Sequence, residues 1–379
     1  MPIEIQTAST TPFSRPTIIC VRKLRTSRFA LLAVLGLASI SAACSSSSTS
    51  SSSAPSAGQA IGQPSPFLSG NLSVVGCGGT ALCAAAGASF DPSPKTPVIA
   101  GSTDSGIHWV AGTTSAPATI TINGVSCSVK SCLALGFSGL NFQFLQSANA
   151  RSWETIPTTP LGGNPQAVGC AQTKWCLVIV PTAAGFVATA TTTAGKQWTT
   201  PTPLPPGIGQ VRTLTCSAST SCISTGIDPN GKPQVLLTSS GNSGWAIANL
   251  PSTATEVLSA ACRSDGICFA IVRNGIGQPT QLTKSSAGST AFVNGPTIPN
   301  LASPSAVACS STTCVFGGSN KSGAAVLASQ TRHSAPQSIG VTFAPTGIVA
   351  LSCGAPTQCV AITTSSLIQV SPLVPQRSK

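Results

Sequence analysis

The stretch LSCGAPTQCV, residues 351–360, holds two cysteines six positions apart, and similar stretches recur along the whole chain. Fourteen of the sixteen cysteines fall into such pairs. The pairs are Cys77 with Cys83, Cys127 with Cys132, Cys170 with Cys176, Cys216 with Cys222, Cys262 with Cys268, Cys309 with Cys314, and Cys353 with Cys359. The first cysteines of successive pairs are 50, 43, 46, 46, 47 and 44 residues apart. A repeat of this length is typical of β-propeller blades.

Every unit shows the same residue types around its first cysteine. Two positions before it stands an apolar residue: Val75, Val125, Val168, Leu214, Ala260, Val307 or Leu351. One position before it stands a small residue: Gly76, Ser126, Gly169, Thr215, Ala261, Ala308 or Ser352. This alternation predicts a strand whose cysteine and apolar neighbour share a buried face. The second cysteine opens another short apolar run, so each pair is predicted to form a disulfide across a hairpin.

The composition supports an all-β protein. The chain has 379 residues, of which 41% are hydrophobic and 7% charged, with 36 glycines, 30 prolines and no tyrosine. We therefore predict a seven-bladed β-propeller over residues 58–379, with one short-range disulfide per blade. Zinc sites need closer cysteine spacing and usually histidine, of which the chain has two, so neither a metal nor a cofactor is predicted.

The N-terminal region carries an export signal. The stretch VRKLRTSRFALLAVLGLASISAAC, residues 21–44, contains a basic cluster, an apolar run and small residues before Cys44. The last part resembles the lipobox of bacterial lipoproteins, which implies that Cys44 carries a lipid after cleavage. We predict a signal peptide over residues 1–43 and a lipidated Ser-rich tether over residues 44–57. In an alternative interpretation, translation starts near Val21. The protein would then be anchored to the outer face of a bacterial membrane, or secreted if ordinary signal peptidase cleaves after Ala43.

A second motif stands in the first unit, where Ser102-Thr103-Asp104-Ser105-Gly106-Ile107-His108-Trp109 matches the pattern S-x-D-x-G-x-x-W. It resembles the Asp-box (BNR) repeats of sialidase-like propellers. The resemblance implies a structural turn between the third and fourth strands, shaped by Ser102, Asp104 and Gly106, with Trp109 packed beneath it. His108 is predicted to be an exposed turn residue. Four later units keep an aromatic at a similar place: Trp153, Trp198, Trp245 and Phe292.

The seventh unit ends before a fourth strand can form. Counting back from Cys77 by the usual spacing reaches the stretch GQAIGQ. We therefore predict that residues near Ala60 to Gln63 supply the outer strand of the last blade and close the ring.

Catalytic residues are not evident in this sequence. Sialidases use a tyrosine nucleophile, and this chain has no tyrosine. Only six acidic residues follow Cys44. Of these, Asp91, Asp228 and Glu256 are predicted in loops at the end opposite the cysteines. Asp228 and Glu256 come from adjacent units and are the one candidate glycosidase pair. The alternative interpretation is that they are solvated loop charges. His108 and His333 are the only histidines, and neither is part of an apparent nucleophile–base arrangement.

The charge pattern disfavours nucleic acid. The net charge is +12, but the residues after Cys44 carry 14 basic and 6 acidic side chains that are scattered singly. We predict a non-catalytic cell-envelope lipoprotein with a monomeric propeller. Its partners would be the membrane, through the lipid, and an extracytoplasmic protein or polysaccharide. The alternative is a glycan-binding or glycoside-hydrolysing envelope protein.

Overall fold

The computed structural model describes residues 59–64, 70–89, 97–116, 120–138, 141–157, 161–171, 174–217, 221–275, 280–332, 334–341, 346–355, 358–363 and 366–371. All of them belong to the compact unit that runs from Ser51 to Lys379. The predicted signal peptide, Cys44 and the tether lie outside the described residues. The described part is built from β-strands and turns, and it contains no helix long and apolar enough to cross a membrane.

The strands form a seven-bladed β-propeller, which confirms the predicted fold class. Blade 1 consists of β2 (Gly70–Gly78), β3 (Leu82–Ser89), β4 (Pro97–Ser102) and β5 (Val110–Ala111). Blade 2 consists of β7 (Thr121–Cys127), β8 (Cys132–Ser138), β9 (Asn141–Ser147) and β10 (Ser152–Ile156), with the short β6 (Thr113–Thr114) beside β10. Blade 3 consists of β11 (Ala167–Cys170), β12 (Cys176–Thr182), β13 (Gly185–Thr191) and β14 (Thr202–Pro203).

The remaining blades repeat the same meander of antiparallel strands. Blade 4 consists of β15 (Gln210–Cys216), β16 (Cys222–Ile227), β17 (Pro233–Thr238) and β18 (Ala246–Ile247). Blade 5 consists of β19 (Glu256–Cys262), β20 (Cys268–Arg273), β21 (Thr280–Ser285) and β22 (Phe292–Asn294). Blade 6 consists of β23 (Ser303–Cys309), β24 (Thr313–Ser319), β25 (Ala325–Thr331) and β26 (Gln337–Val341). Blade 7 takes β27 (Ala350–Ala355), β28 (Gln358–Ile362) and β29 (Ser366–Ser371) from the C-terminal part of the chain.

The ring is closed by the first strand of the chain. Strand β1 (Gln59–Pro64) pairs antiparallel with β29, from Gln59 opposite Ser371 to Pro64 opposite Ser366. It therefore forms the outer strand of blade 7, as predicted for the segment near Ala60 to Gln63. The other edge of β1 pairs in parallel with β26, so the sheet edges of blades 6 and 7 are covered at this point.

Each blade carries one disulfide between its first two strands, as predicted. The Cα atoms of the bonded residues lie 3.9–4.1 Å apart. The bonds join Cys77 to Cys83, Cys127 to Cys132, Cys170 to Cys176, Cys216 to Cys222, Cys262 to Cys268, Cys309 to Cys314, and Cys353 to Cys359. In every blade the two cysteines face each other in the strand register.

The second strand does not begin at the cysteine in every blade, although the second cysteine was expected to open it. In blades 1, 6 and 7 the strand begins one residue earlier, so that Cys83, Cys314 and Cys359 are the second residues of β3, β24 and β28. The reason is that the preceding residue also has a partner in the ladder. Leu82 faces Gly78, for example, which extends the hairpin of blade 1 past its disulfide.

The cysteine hairpins and the turns between third and fourth strands lie at the same end of the blades, and we call this end the cysteine face. The opposite end, the far face, carries the turns between second and third strands and the blade-to-blade connections. The turn from Asp228 to Lys232 between β16 and β17 is one of the turns of the far face.

The small residues before the first cysteines lie where neighbouring blades meet. A Cβ atom added to Gly76 in β2 would lie 2.6 Å from the Cα atom of Ser126 in β7. The Ser126 hydroxyl in turn accepts a hydrogen bond from the backbone N–H of Cys170 at 2.9 Å. The Ser352 hydroxyl accepts one from the N–H of Cys77 at 2.8 Å, which links blade 7 to blade 1. A small residue is needed at this position because the inner strands approach each other closely.

Replacing Gly76 with alanine tests this packing. We expect Gly76→Ala to lower the free energy of unfolding by about 1–3 kcal/mol, because the new methyl group would overlap the backbone of blade 2. The matched control is Gly340→Ala in β26, where an added Cβ atom meets nothing within 4 Å. The measurement is the urea midpoint of each purified variant. Equal midpoints for the two variants would show that the inner strands tolerate a larger separation.

Candidate functional site

The innermost strands of the blades surround a central channel that opens on the far face. Four positions before each first cysteine, one residue from every blade lines the same cavity, which has a volume of about 230 Å³. We call these seven residues the mouth ring: Ser73, Asn123, Gln166, Arg212, Leu258, Ser305 and Val349. Arg212 is the one charged member of the mouth ring.

A β-bulge directs most of these side chains into the channel. In five blades the pairing between the first two strands skips the residue of the mouth ring, as between Val211 and Thr213 in blade 4. A bulge leaves the extra residue without a partner across the ladder and bends the strand locally. The side chain of Arg212 is therefore released from the sheet and available at the channel mouth.

Below the mouth ring lies a ring of apolar side chains. It consists of the residues two positions before each first cysteine: Val75, Val125, Val168, Leu214, Ala260, Val307 and Leu351. Six of them are buried, as the alternation predicted, and Leu351 is half-buried. A smaller cavity of about 80 Å³ follows on the cysteine side, where it is lined by five of the first cysteines. The channel thus has a polar mouth above an apolar constriction.

Arg212 belongs to a cluster of three charged groups at the far-face rim. Its Nη1 atom lies 3.6 Å from Oε1 of Glu256, and Nη1 of Arg273 contacts Oε2 of the same carboxylate. Glu256 and Arg273 face each other at the ends of β19 and β20, whereas Arg212 comes from the preceding blade. Two guanidinium groups and one carboxylate leave the cluster with one net positive charge. Both arginine side chains remain 42% exposed.

The two carboxylates considered as a catalytic pair have different partners in the structure. Asp228 lies in a turn of the far face, where its Oδ1 atom accepts hydrogen bonds from the backbone N–H groups of Asn230 and Lys232, both at 2.8 Å. Glu256 was expected in a loop but is the first residue of β19, held by its two arginines. Within the described residues the two carboxylates share no partner. The third residue, Asp91, and His333 lie outside the described residues.

The turn from Ser102 to Trp109 lies on the cysteine face between β4 and β5. The Ser102 hydroxyl donates to Oδ1 of Asp104 at 2.7 Å and accepts from the N–H of Gly106 at 2.8 Å. Oδ1 of Asp104 also accepts from the N–H of His108 at 2.9 Å. The indole N–H of Trp109 donates to the carbonyl of Gly106 at 3.0 Å. These bonds give each of the four motif residues a structural task within the turn.

The histidine of this turn pairs with the aspartate. Nδ1 of His108 lies 2.6 Å from Oδ2 of Asp104, and the imidazole is exposed. Burial on its own raises the pKa of Asp104. The net pKa is nevertheless below its usual value, because the carboxylate accepts hydrogen bonds from the His108 backbone, Ser102 and the His108 side chain and lies beside the charge of His108. The carboxylate is therefore stabilised in its charged form by the fold.

Two other blades build the same turn with different residues. In blade 2, Oδ1 of Asn149 accepts from the N–H groups of Arg151 and Ser152, while the carbonyl of Ala150 accepts from the Trp153 indole at 3.0 Å. In blade 3, the Thr193 hydroxyl accepts from the N–H of Gln197 at 2.8 Å. In blade 2 the sequence shows only the aromatic spacing of the motif, whereas in blade 3 Thr191, Thr193 and Gly195 keep the spacing without the aspartate. A usable signal was the hydroxyl residue that faces the second cysteine: Ser102, Ser147, Thr191 and Thr238.

A buried ion pair occupies the cysteine hairpin of blade 5. Arg263 is only 2% exposed, and its Nη2 atom donates to Oδ2 of Asp265 at 2.9 Å. Arg332 of blade 6 lies 3.4 Å from the same carboxylate oxygen. Burial alone raises the pKa of Asp265, but the hydrogen bond from Arg263 and the charges of both arginines bring it below its usual value. The carboxylate of Asp265 is therefore already paired with two arginines.

The described residues contain no group of three or more histidine, cysteine or carboxylate side chains that could hold a metal ion. All fourteen paired cysteines are bonded as disulfides. A protein with seven disulfides is suited to an oxidising, extracytoplasmic environment.

Comparisons with known proteins show the fold. No protein-family model and no curated protein matches the chain. The propeller is similar to the YCF48 protein in its complex with a D1 peptide, with 17% identity and a TM-score of 0.59 over 82% of this chain and 96% of that chain. A streptogramin B lyase gives 9% identity and a TM-score of 0.56 over 82% and 96%. The GH74 enzyme of Niastella koreensis gives 10% identity and 0.55 over 81% and 53%. At these identities the likeness concerns the fold alone.

The lowered pKa of Asp104 predicts how stability depends on pH. Since the folded pKa lies below the ordinary value of 3.8, the stabilisation is complete above that pH and is lost as the pH falls through the folded pKa. Asp104→Asn should therefore be less stable than the parent by less than about 1 kcal/mol near neutral pH, because the pair is partly exposed, and the difference should vanish in acid. Urea midpoints measured across the acid range would show this convergence. A difference that stays constant with pH would contradict the role given to the carboxylate.

Proposed function

We propose that this protein is an exported, non-catalytic lipoprotein of the cell envelope, which binds a carboxylate-bearing segment of another extracytoplasmic protein at the mouth of its channel. The observation that carries the proposal is the mouth ring, in which Arg212 alone is charged and stands above a ring of apolar side chains. Attachment to the membrane would occur through a lipid on Cys44.

Arg212 suits an anionic ligand. Among the described residues its guanidinium group has one ion-pair partner, Glu256, at a distance longer than a hydrogen bond. Its N–H donors therefore remain available on a side chain that is 42% exposed. The planar guanidinium group matches a carboxylate through two parallel hydrogen bonds. The net positive charge of the cluster favours approach of such a group.

The rest of the mouth favours a peptide over a strongly charged ligand. Asn123 and Ser73 add neutral hydrogen-bonding groups to the lining of the same cavity as Arg212, and Leu258 and Val349 offer apolar contact. The aliphatic ring below can accept a small apolar side chain. A chain terminus with an aliphatic last residue combines these features, since its carboxylate would meet Arg212 and its side chain would enter the cavity. YCF48, which shares the fold, is known in a complex with a peptide.

The proposed export of the protein and the proposed lipid attachment at Cys44 are supported by separate observations. The seven disulfides agree with an oxidising compartment. The basic cluster, the apolar run from Phe29 to Ile40 and the small residues before Cys44 support cleavage and lipid attachment. Simple secretion remains the alternative if cleavage follows Ala43 without lipid transfer.

A glycan-directed role is the competing function. It is favoured by the similarity of fold to the GH74 enzyme and by the neutral amide and hydroxyl groups of the mouth ring. Glycoside hydrolysis needs one carboxyl group that donates a proton and a second that acts as base or nucleophile. Asp228 accepts two backbone hydrogen bonds and Glu256 is held by two arginines, so each carboxylate already has structural partners of its own. Binding is therefore the better-supported function.

Peptide binding with and without a terminal carboxylate tests the proposal. The probes are fluorescent peptides with small aliphatic last residues, prepared with either a free or an amidated C-terminus. The mature protein should bind the free form at least about tenfold more tightly, because a charge-assisted hydrogen bond contributes about 1.5–3 kcal/mol. Arg212→Gln should remove the preference. Fluorescence polarisation gives both dissociation constants.

The matched control is Lys232→Gln, which removes a positive charge from an exposed turn of the same face whose lysine does not line the cavity. This variant should bind like the parent protein. Equal binding of the free and amidated peptides would contradict the proposal. Turnover of a polysaccharide that is lost in both Asp228→Ala and Glu256→Ala would establish the glycosidase instead.

A further inference from the structure

The cysteine face of blades 2 and 3 carries an unusual excess of positive charge. From Thr113 to Gly209 the sequence contains four basic residues and one acidic residue. We call the four basic residues the basic arc: Lys130, Arg151, Lys174 and Lys196. Lys130 and Lys174 stand in the cysteine hairpins of blades 2 and 3, and Arg151 and Lys196 in the turns between third and fourth strands. All four therefore lie on the same face.

The charges of the basic arc are not neutralised within the described residues. Lys130, Lys174 and Lys196 are exposed, and none of them has a carboxylate within ion-pair distance in the described part of the chain. Arg151 is held in place by a hydrogen bond from its Nη2 atom to the Thr103 hydroxyl at 3.2 Å. The one acidic residue, Glu154, lies in the outer strand β10. The acids of this face in other blades, Asp104 and Asp265, already pair with His108 and with two arginines.

The register of β1 shows on which face the N-terminal segment joins the propeller. Gln59 faces Ser371, and the neighbouring Val370 faces Cys359, so the first residue of β1 lies at the cysteine side of blade 7. Fourteen residues separate Gln59 from Cys44. Such a segment spans at most about 50 Å when fully extended. A lipid on Cys44 would therefore be connected to the propeller at its cysteine face.

We propose that the basic arc is a docking surface for anionic phospholipid headgroups, so that the cysteine face lies on the membrane and the channel mouth points away from it. The orientation rests on the proposed lipid attachment, whereas the lipid affinity of the basic arc does not. Single basic residues attract an anionic surface only within a Debye length of about 8 Å, so several of them must lie on one face, as they do here. Docking by this face leaves the mouth ring accessible to a protein partner.

Vesicle binding of the unlipidated protein tests the docking surface directly. The protein is the mature chain with Cys44→Ser, so that a lipid cannot contribute. The probes are vesicles of phosphatidylcholine alone and of phosphatidylcholine mixed with phosphatidylglycerol, compared by co-sedimentation at low and high salt. We expect binding only to the anionic vesicles, with an affinity that falls as salt is added. Lys130→Glu/Lys174→Glu should weaken this binding roughly tenfold or more.

The matched control is Lys232→Glu/Lys321→Glu, which makes the same change of charge in two exposed turns of the far face. It should bind vesicles like the parent, and circular dichroism should show both double variants folded. Equal losses in the two double variants, or equal binding to both kinds of vesicle, would overturn the proposal. So would binding of the basic arc to a soluble anionic polymer without binding to vesicles. Membrane fractionation of the chain with native Cys44 reports lipid attachment separately from these outcomes.

Discussion

The structure depends on the disulfide that joins directly opposed residues of the first two strands in each blade. Because Cys216 and Cys222, like the six equivalent pairs, face each other across the ladder, a shift of one residue would separate the two sulfur atoms and turn the strand over. The bond therefore fixes the register of the hairpin. Closing so short a loop stabilises each blade by about 2 kcal/mol in the chain-entropy model.

Once the register is set, each position before the first cysteine acquires a defined environment. The residue one position before it meets the neighbouring blade, which is why Gly76 and Ser126 are small. The residue two positions before it narrows the channel, and the bulge four positions before it directs a side chain into the mouth. The disulfides thus support the candidate binding site at a distance, since they hold the strands from which Arg212 and its neighbours project.

Local repeats made most of the fold predictable. The spacing of the cysteine pairs predicted the blades, the hairpins and the disulfides, and the missing last strand predicted that residues near Ala60 to Gln63 close the ring. The channel mouth could not be predicted in the same way. A bulge at Arg212 is not visible in an alternating pattern, and the contact of Arg212 with Glu256 joins residues from two blades. Asn149 was also missed, because the same turn can be built from different hydrogen-bond acceptors.

The two faces of the propeller differ in chemistry. The far face presents Arg212 with neutral and apolar neighbours around a cavity, whereas the cysteine face of blades 2 and 3 presents basic residues on exposed turns. In the proposed orientation, the cysteine face would meet the membrane and the far face would meet a partner. Binding and attachment can then be changed independently by mutation.

The most direct test of the shared register is a disulfide map of the exported protein, obtained by mass spectrometry of peptides with and without reduction. We predict seven local bridges, from the bond of Cys77 with Cys83 to the bond of Cys353 with Cys359, and no paired cysteine in the reduced state. Free thiols, or bridges between blades, would contradict the register on which the channel, the mouth ring and the basic arc depend.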